Sequence, residues 1–239
     1  MRSIYLWGSL RATVEPENAC PPSIEVITHQ PCCYLEESMP HLNPGEEAAW
    51  KALDDARAVE ICQKSLARFD EVERCYLLRI LGDDFAVVPS ERTIKCVSGK
   101  SVSIDLNFRL MTLVYLTNAK KTEPTGKLVQ ASQLRGGESF FRGVHSLPVG
   151  ELESRFGRCP GDLRKACLAL EGRPVPFGDL AMELRVLPKV PLTIVLWVAD
   201  DEFPARVSIL FDSTVQDHLP LDAVLATVHA TSKRILACG

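Results

Sequence analysis

With 239 residues, 46% of them apolar, and a formal net charge of -4, the chain has enough nonpolar surface for a sizeable core and no overall excess of positive charge. That balance argues against a surface built as a whole to bind nucleic acid, and no apolar run reaches the roughly 20 residues that a helical membrane span needs. Nine scattered cysteines, an odd number, fit a reducing compartment, the cytoplasm, better than a disulfide framework.

At the N-terminus the apolar segment is broken by Gly8 and closed by Arg11, which suits neither a signal peptide nor an anchor. Six of the sixteen prolines (Pro16, Pro21, Pro22, Pro31, Pro40, Pro44) fall in residues 1–44 without sustained periodicity. This predicts an irregular arm over 1–43 ahead of a single domain over 44–239. Asn43-Pro44-Gly45-Glu46 reads as a helix start, with an N-cap, proline at the first helical position and a carboxylate that reaches back. Ala49, Leu53, Ala56, Val59, Cys62, Leu66 and Phe69 then recur at threes and fours, which predicts one amphipathic helix to about Phe69.

Two short hairpins are predicted next. One pairs Tyr76–Leu81 with Phe85–Val88 around Gly82-Asp83-Asp84, and the other pairs Thr93–Val97 with Ser101–Ile104 around Ser98-Gly99-Lys100. Leu106 to Leu116 is apolar at eight of eleven positions, a length that favours a helix buried on most sides, with Asp105 as its cap. Glycines at 126, 136, 137, 143 and 150 mark Lys120 to Gly150 as a loop-rich middle with one strand at Lys127–Ala131. Pro148 and Pro160 open two short helices ended by Gly157 and Gly172.

The C-terminal third is the most decided. Met182, Leu184 and Val186 alternate with Glu183 and Arg185, Val190 to Ala199 is a nearly unbroken apolar run, and Val207, Ile209 and Phe211 resume the alternation. Two antiparallel hairpins around a central strand follow, with Trp197 expected to be buried in that strand. A helix from near Pro220 carries Leu221, Val224, Leu225, Val228, Ile235 and Leu236 on one face. The expected fold is α+β, an antiparallel sheet with covering helices.

Four groups of residues could carry chemistry. In the arm, Cys20, His29, Cys32 and Cys33 supply ligand types suited to zinc or an iron–sulfur cluster, although adjacent cysteines are poorly placed to chelate one tetrahedral metal. Between Arg92 and Arg142 nine basic residues face three acids, and among them Lys120, Lys121, Lys127, Arg135 and Arg142 flank glycine-rich turns whose amides can approach an anion. A solvated basic face is the plainer reading of the same residues. His145, beside Phe140-Phe141-Arg142-Gly143, could be an acid–base group, a ligand to a metal or tetrapyrrole, or a hydrogen-bonded structural residue, while His218 at a helix start favours the neutral imidazole. Asp201, Glu202, Asp212 and Asp217 cluster at strand ends, but Glu202 and Asp212 stand about 25 Å apart at strand rise, too far for a shared site. No phosphate-loop, dinucleotide, hydrolase-elbow, zinc-protease or kinase signature occurs.

The ordered set Tyr115-Leu116, Asn118-Ala119-Lys120, Pro124-Thr125-Gly126-Lys127, Leu134 with Gly136-Gly137, Phe140-Phe141 with Gly143 and His145, Leu187-Pro188-Lys189-Val190-Pro191, Leu196-Trp197, Asp201-Glu202-Phe203-Pro204, Leu210-Phe211-Asp212 and His218-Leu219-Pro220 resembles domain of unknown function 3786. The resemblance covers about Glu47 to the C-terminus and implies a family found mainly in anaerobic bacteria and archaea. It supplies no activity or site residues. It also implies an N-terminal iron–sulfur module with closely spaced cysteines in some relatives, a pattern from which Cys20, Cys32 and Cys33 depart by lacking C-x-x-C. The sequence therefore leaves three functions open: a protein binding an anionic small molecule or cofactor through residues 120–145, an adaptor for a partner protein, or a metal-dependent enzyme.

Overall fold

The computed structural model describes residues 44–239, so the expected arm, its residues Cys20, His29, Cys32 and Cys33, and the cap at Asn43 lie outside the described residues. Pro44–Asp55 forms α1 and Ala58–Ser65 forms α2, where the apolar spacing predicts one helix through Phe69. The break comes at Arg57, whose backbone is extended and whose carbonyl accepts from the amides of Glu60 and Ile61. Restarting there buries Ile61 and leaves Val59 exposed. A helical repeat cannot distinguish one straight helix from two that restart in phase. Leu66, left-handed at φ 61, ends α2, and Phe69 enters a strand instead.

That strand, β1 (Arg68–Asp70), begins a four-stranded antiparallel sheet with β2 (Cys75–Ile80), β3 (Asp83–Val88) and β4 (Thr93–Cys96), in the order β1-β2-β3-β4. The β2–β3 loop is only Leu81-Gly82, both residues with positive φ (48 and 80), the backbone of a type I′ turn that matches strand twist. Asp83 and Asp84 are thus strand residues rather than turn residues. The second hairpin is also corrected. β4 pairs back onto β3, and Ser101–Ile104 forms no strand; Val102 and Ile104 pack on the core without a ladder.

The long apolar run forms α3 (Leu106–Asn118), capped as expected by Asp105, whose carboxylate accepts from the Phe108 amide at 3.0 Å. Beyond it lie β5 (Leu128–Gln130), α4 (Gly137–Phe140), and the helical pair α5 (Gly150–Phe156) and α6 (Pro160–Ala169). The second sheet adds β6 (Arg173–Val175), β7 (Leu180–Leu187), β8 (Val190–Trp197) and β9 (Arg206–Asp212) to β5, all antiparallel, in the order β5-β9-β8-β7-β6. α7 (Val215–His218) and α8 (Leu221–Cys238) close the chain.

β8 is central, as its composition predicts, and Leu192 through Leu196 are buried. Trp197 is not. It is 40% exposed at the last rung of the strand, with the Arg206 guanidinium 5.8 Å from its ring centroid. The apolar run continues in sequence for longer than the sheet stays covered. α3 packs between α1 and α8, and the Leu81 amide donates to the Val186 carbonyl at 3.1 Å, tying the β2–β3 turn to β7 of the other sheet. The architecture is α+β, with one continuous apolar core among the described residues. No helix among them is long and apolar enough to cross a membrane.

Candidate functional site

Where α3 ends, the chain must leave the core, and how it leaves decides the site. Ala119, buried, keeps its amide on the Tyr115 carbonyl, and the next residue is fixed through its backbone: the Lys120 amide donates to His218 Nδ1 at 3.3 Å and its carbonyl accepts from Lys189 Nζ at 3.0 Å. Lys189 sits in the Pro188-Lys189 turn between β7 and β8 and is only 1% exposed. Its ammonium also lies 3.0 Å from Glu123 Oε1. A buried ammonium is tolerated only when paired and hydrogen-bonded. These two contacts meet that need and at the same time anchor the 119–123 segment to the second sheet.

The Tyr115 hydroxyl donates to the Ser65 carbonyl at 2.9 Å, fixing the last turn of α2, and hence Lys64, beside the end of α3. Burial pushes the Tyr115 phenol's pKa well up, so it stays protonated and able to donate. Arg135 is placed from another side. Its amide donates to Gln216 Oε1 at 2.7 Å and its carbonyl accepts from Gln216 Nε2 at 3.0 Å, so one side-chain amide from α7 clamps both of its backbone groups. Gly136 then takes φ 76, and a Cβ on Gly137 would stand 1.9 Å from the Ala131 carbonyl oxygen, so glycine is required to bend the chain there.

The result is a cleft of about 740 Å³, within the usual range for small-molecule sites, lined by Lys64, Lys120, Lys121 and Arg135 with Asp217, His218 and the start of α8. The negative ends of α2 and α3 and the positive end of α8 all meet it, so the helix half-charges cancel in part and leave no positive excess. Side chains therefore set the field. Four cations face one carboxylate, and the one ion pair among them, Lys120 with Asp217 at 3.8 Å, joins two well-exposed groups and neutralises little. Lys64, Lys121 and Arg135 make no close ion pair with a carboxylate among the described residues, although Lys64 acts at longer range on the Glu60 carboxylate.

His218 is the buried polar group of the cleft, 1% exposed, with its ring centroid 6.2 Å from that of Tyr115. Burial first, and then the Lys189 ammonium, hold its pKa below the ordinary 6.5, with the Asp217 and Glu123 carboxylates opposing and Lys120 adding to the depression. The ring is therefore neutral at pH 7, and because Nδ1 accepts from Lys120, the hydrogen resides on Nε2. That Nε2 is buried without a partner among the described residues. An uncompensated donor of this kind costs about 1–3 kcal/mol.

The depressed pKa makes stability depend on pH. A ring that binds a proton more weakly folded than unfolded contributes fully above its unfolded value, 6.5, and that contribution is lost as pH falls through the lower folded value. Urea unfolding at about pH 7.5 and about pH 5.5 should therefore show a larger loss for the natural protein than for His218→Asn. Equal losses would mean that His218 is not held neutral. Asp212 adds a separate step at more acidic pH. Burial raises its pKa, but hydrogen bonds from the Thr214 amide and hydroxyl and from Thr125 and Gly126 outweigh burial and hold it low.

Of the basic residues singled out in the sequence, Lys120, Lys121 and Arg135 meet in this cleft and the others do not. Lys127 stands exposed just before β5, its amide on Thr125 and its carbonyl accepting from the Ser213 amide. Arg142 pairs with Glu138 at 2.9 Å and lines a separate hollow of about 470 Å³. His145 is exposed and lies flat on Phe140, ring centroids 4.7 Å apart. Asp212 is consumed by the hydrogen bonds just described, and Asp201 and Glu202 are exposed. Among the described residues no group of three or more histidines, cysteines and carboxylates is placed to hold a metal ion, and the six described cysteines are free.

Lys64, Gln216, Tyr115 and Lys189 belong to the site without having been singled out as site candidates from the sequence, although Tyr115 and Lys189 fall in the motifs that carry the resemblance. Only Lys189 carries a usable signal there, a lone charge between Pro188 and the apolar strand. No curated protein and no solved structure matches the chain. A family model described as domain of unknown function, DUF3786, matches residues 58–234, which takes in the whole lining of the cleft, and the chain belongs to that family.

Proposed function

We propose that the protein binds a multiply charged anionic small molecule in the cleft between the ends of α2 and α3 and the α7–α8 junction. The observation that carries this reading is the convergence of Lys64, Lys121 and Arg135, none of them in a close ion pair among the described residues, on one concavity that also holds Lys120. Like charges brought together repel and raise the energy of the unliganded site, and an anion relieves that repulsion while gaining charged hydrogen bonds. The free thiols of the described cysteines support a reducing compartment, in keeping with a cytoplasmic metabolite.

Isothermal titration of the full chain with pyrophosphate and with citrate tests the reading. One charged hydrogen bond is worth about 1.5–3 kcal/mol, so Arg135→Ala should weaken binding by roughly tenfold to a hundredfold with the fold intact. Affinity should also fall as salt is raised. If neither anion binds, the reading is lost. The alternative then is an interaction surface, supported by Phe177, Trp197 and Phe203, large exposed side chains carried by the β6–β7 turn, the last rung of β8 and the β8–β9 connection at one end of the second sheet.

A further inference from the structure

We propose that the protein holds a second small-molecule site, a hollow of about 490 Å³ at the seam between its two sheets, and that this site takes a monocarboxylate with an apolar body. The seam is made by the β2–β3 turn, whose Leu81 amide donates to the Val186 carbonyl on β7 and whose Gly82 stands against Leu170 and Glu171 at the end of α6. Among the described residues, the guanidiniums of Arg79, Arg173 and Arg185 and the carboxylates of Glu171 and Glu183 line the hollow. Arg79 is held by Glu171 and, at 3.2 Å, by Asp84, while Arg173 is held by Glu183 at 2.7 Å. Arg185, opposite Pro191 on β7, is exposed and makes no hydrogen bond or ion pair among the described residues. It is thus the one guanidinium of the hollow free to take an anion, and its planar fork matches the two oxygens of a carboxylate.

The charges of the lining set how many negative charges it accepts. With Arg79 matched by Glu171 and Arg173 by Glu183, a single positive charge is left over, and a second charge on the ligand would stand against both carboxylates. Leu66, 56% exposed, and the half-buried Pro188 line the same hollow and offer apolar surface to the rest of the molecule. The backbone at Glu171 points the same way. It is left-handed at φ 58 where α6 ends, a position at which glycine is usual, and the glycine stands one residue later at 172, where a Cβ would meet the Cys167 carbonyl oxygen at 2.8 Å. A left-handed non-glycine residue costs stability, and an ion pair between side chains 49% and 60% exposed returns little of it. Glu171 is therefore kept for the hollow, where its carboxylate immobilises Arg79 and repels a second ligand charge.

The test titrates the full-length protein, labelled with 15N-arginine, with 4-methylpentanoate and separately with succinate. 4-Methylpentanoate should bind saturably, move the assigned Arg185 Nε–H resonance, and bind at least about tenfold more tightly than succinate. Arg185→Gln should lose about tenfold or more of that affinity while melting as the natural protein does. Leu66→Asn, whose side chain tolerates the left-handed backbone, should lose about threefold or more by removing the apolar wall. Glu171→Gln frees Arg79, so it should let succinate bind at least as tightly as 4-methylpentanoate. Should a variant fail to fold, the resonance shift and the preference between the two acids in the natural protein decide by themselves. No saturable binding, a shift at Arg135 in the basic cleft instead of Arg185, equal or tighter binding of succinate by the natural protein, or folded variants that bind as the natural protein does would each overturn the inference.

Discussion

Trp50→Ala should lower the unfolding free energy by about 3–5 kcal/mol, a large share of the roughly 5–15 kcal/mol typical of a domain. The indole is fully buried on α1 where that helix meets α3, and the Arg92 guanidinium lies 5.6 Å from its ring centroid. Its Nε1 donates to Glu46 Oε1 at 3.4 Å, a long bond, and that carboxylate is already held by Arg109 at 2.7 Å and 3.2 Å. The hydrogen bond is therefore the minor loss and the cavity the major one. Trp50→Phe, which keeps most of the ring volume, should lose well under half as much. Urea unfolding followed by circular dichroism measures both. A loss below about 1 kcal/mol for the alanine variant would show that α1 unfolds apart from the rest.

The reading that sequence allowed was good where one element declares itself and poor where two distant elements meet. α3 was legible because eight apolar residues in eleven leave no polar face and Asp105 stands at its start; β7 and β9 were legible from their alternation, and β8 from a short apolar run, rich in β-branched residues, set between them. The division into two sheets was not, since nothing in the spacing of Thr93–Cys96 says whether its neighbour is β3 or the segment after Gly99. Trp197 shows the same limit from inside a strand: hydrophobicity reports what a side chain prefers, while exposure at the end of β8 depends on where the covering elements stop.

The cleft was legible only in part for a related reason. Charge density marked Lys120, Lys121 and Arg135, but the selection of these from Lys127, Arg142 and His145 depends on bonds made at long range. Gln216 holds Arg135, His218 and Lys189 hold Lys120, and Tyr115 holds the end of α2 that carries Lys64. Each of those bonds joins residues at least 50 positions apart. Local sequence carries no record of such pairs, so a basic stretch could be found and its concave part could not.

The same dependence on a distant partner makes Asp83→Ala the second large effect, again about 3–5 kcal/mol. Asp83 opens β3 with 5% exposure, accepting from Lys100 Nζ at 2.6 Å and from an Arg234 terminal nitrogen at 2.7 Å. Arg234 belongs to the last turns of α8; its side chain is 12% exposed and its Nε has no partner among the described residues. Removing the carboxylate leaves this guanidinium buried and uncompensated, whereas Lys100, 62% exposed, simply returns to solvent. The penalty should thus belong to Arg234. The double variant Asp83→Ala/Arg234→Met, which replaces the stranded charge by an apolar chain of similar reach, should recover most of the loss, and Lys100→Ala alone should change stability by less than about 1 kcal/mol. A double variant no more stable than Asp83→Ala would show that the aspartate acts through the β2–β3 turn beside Gly82 rather than by holding α8 to the first sheet.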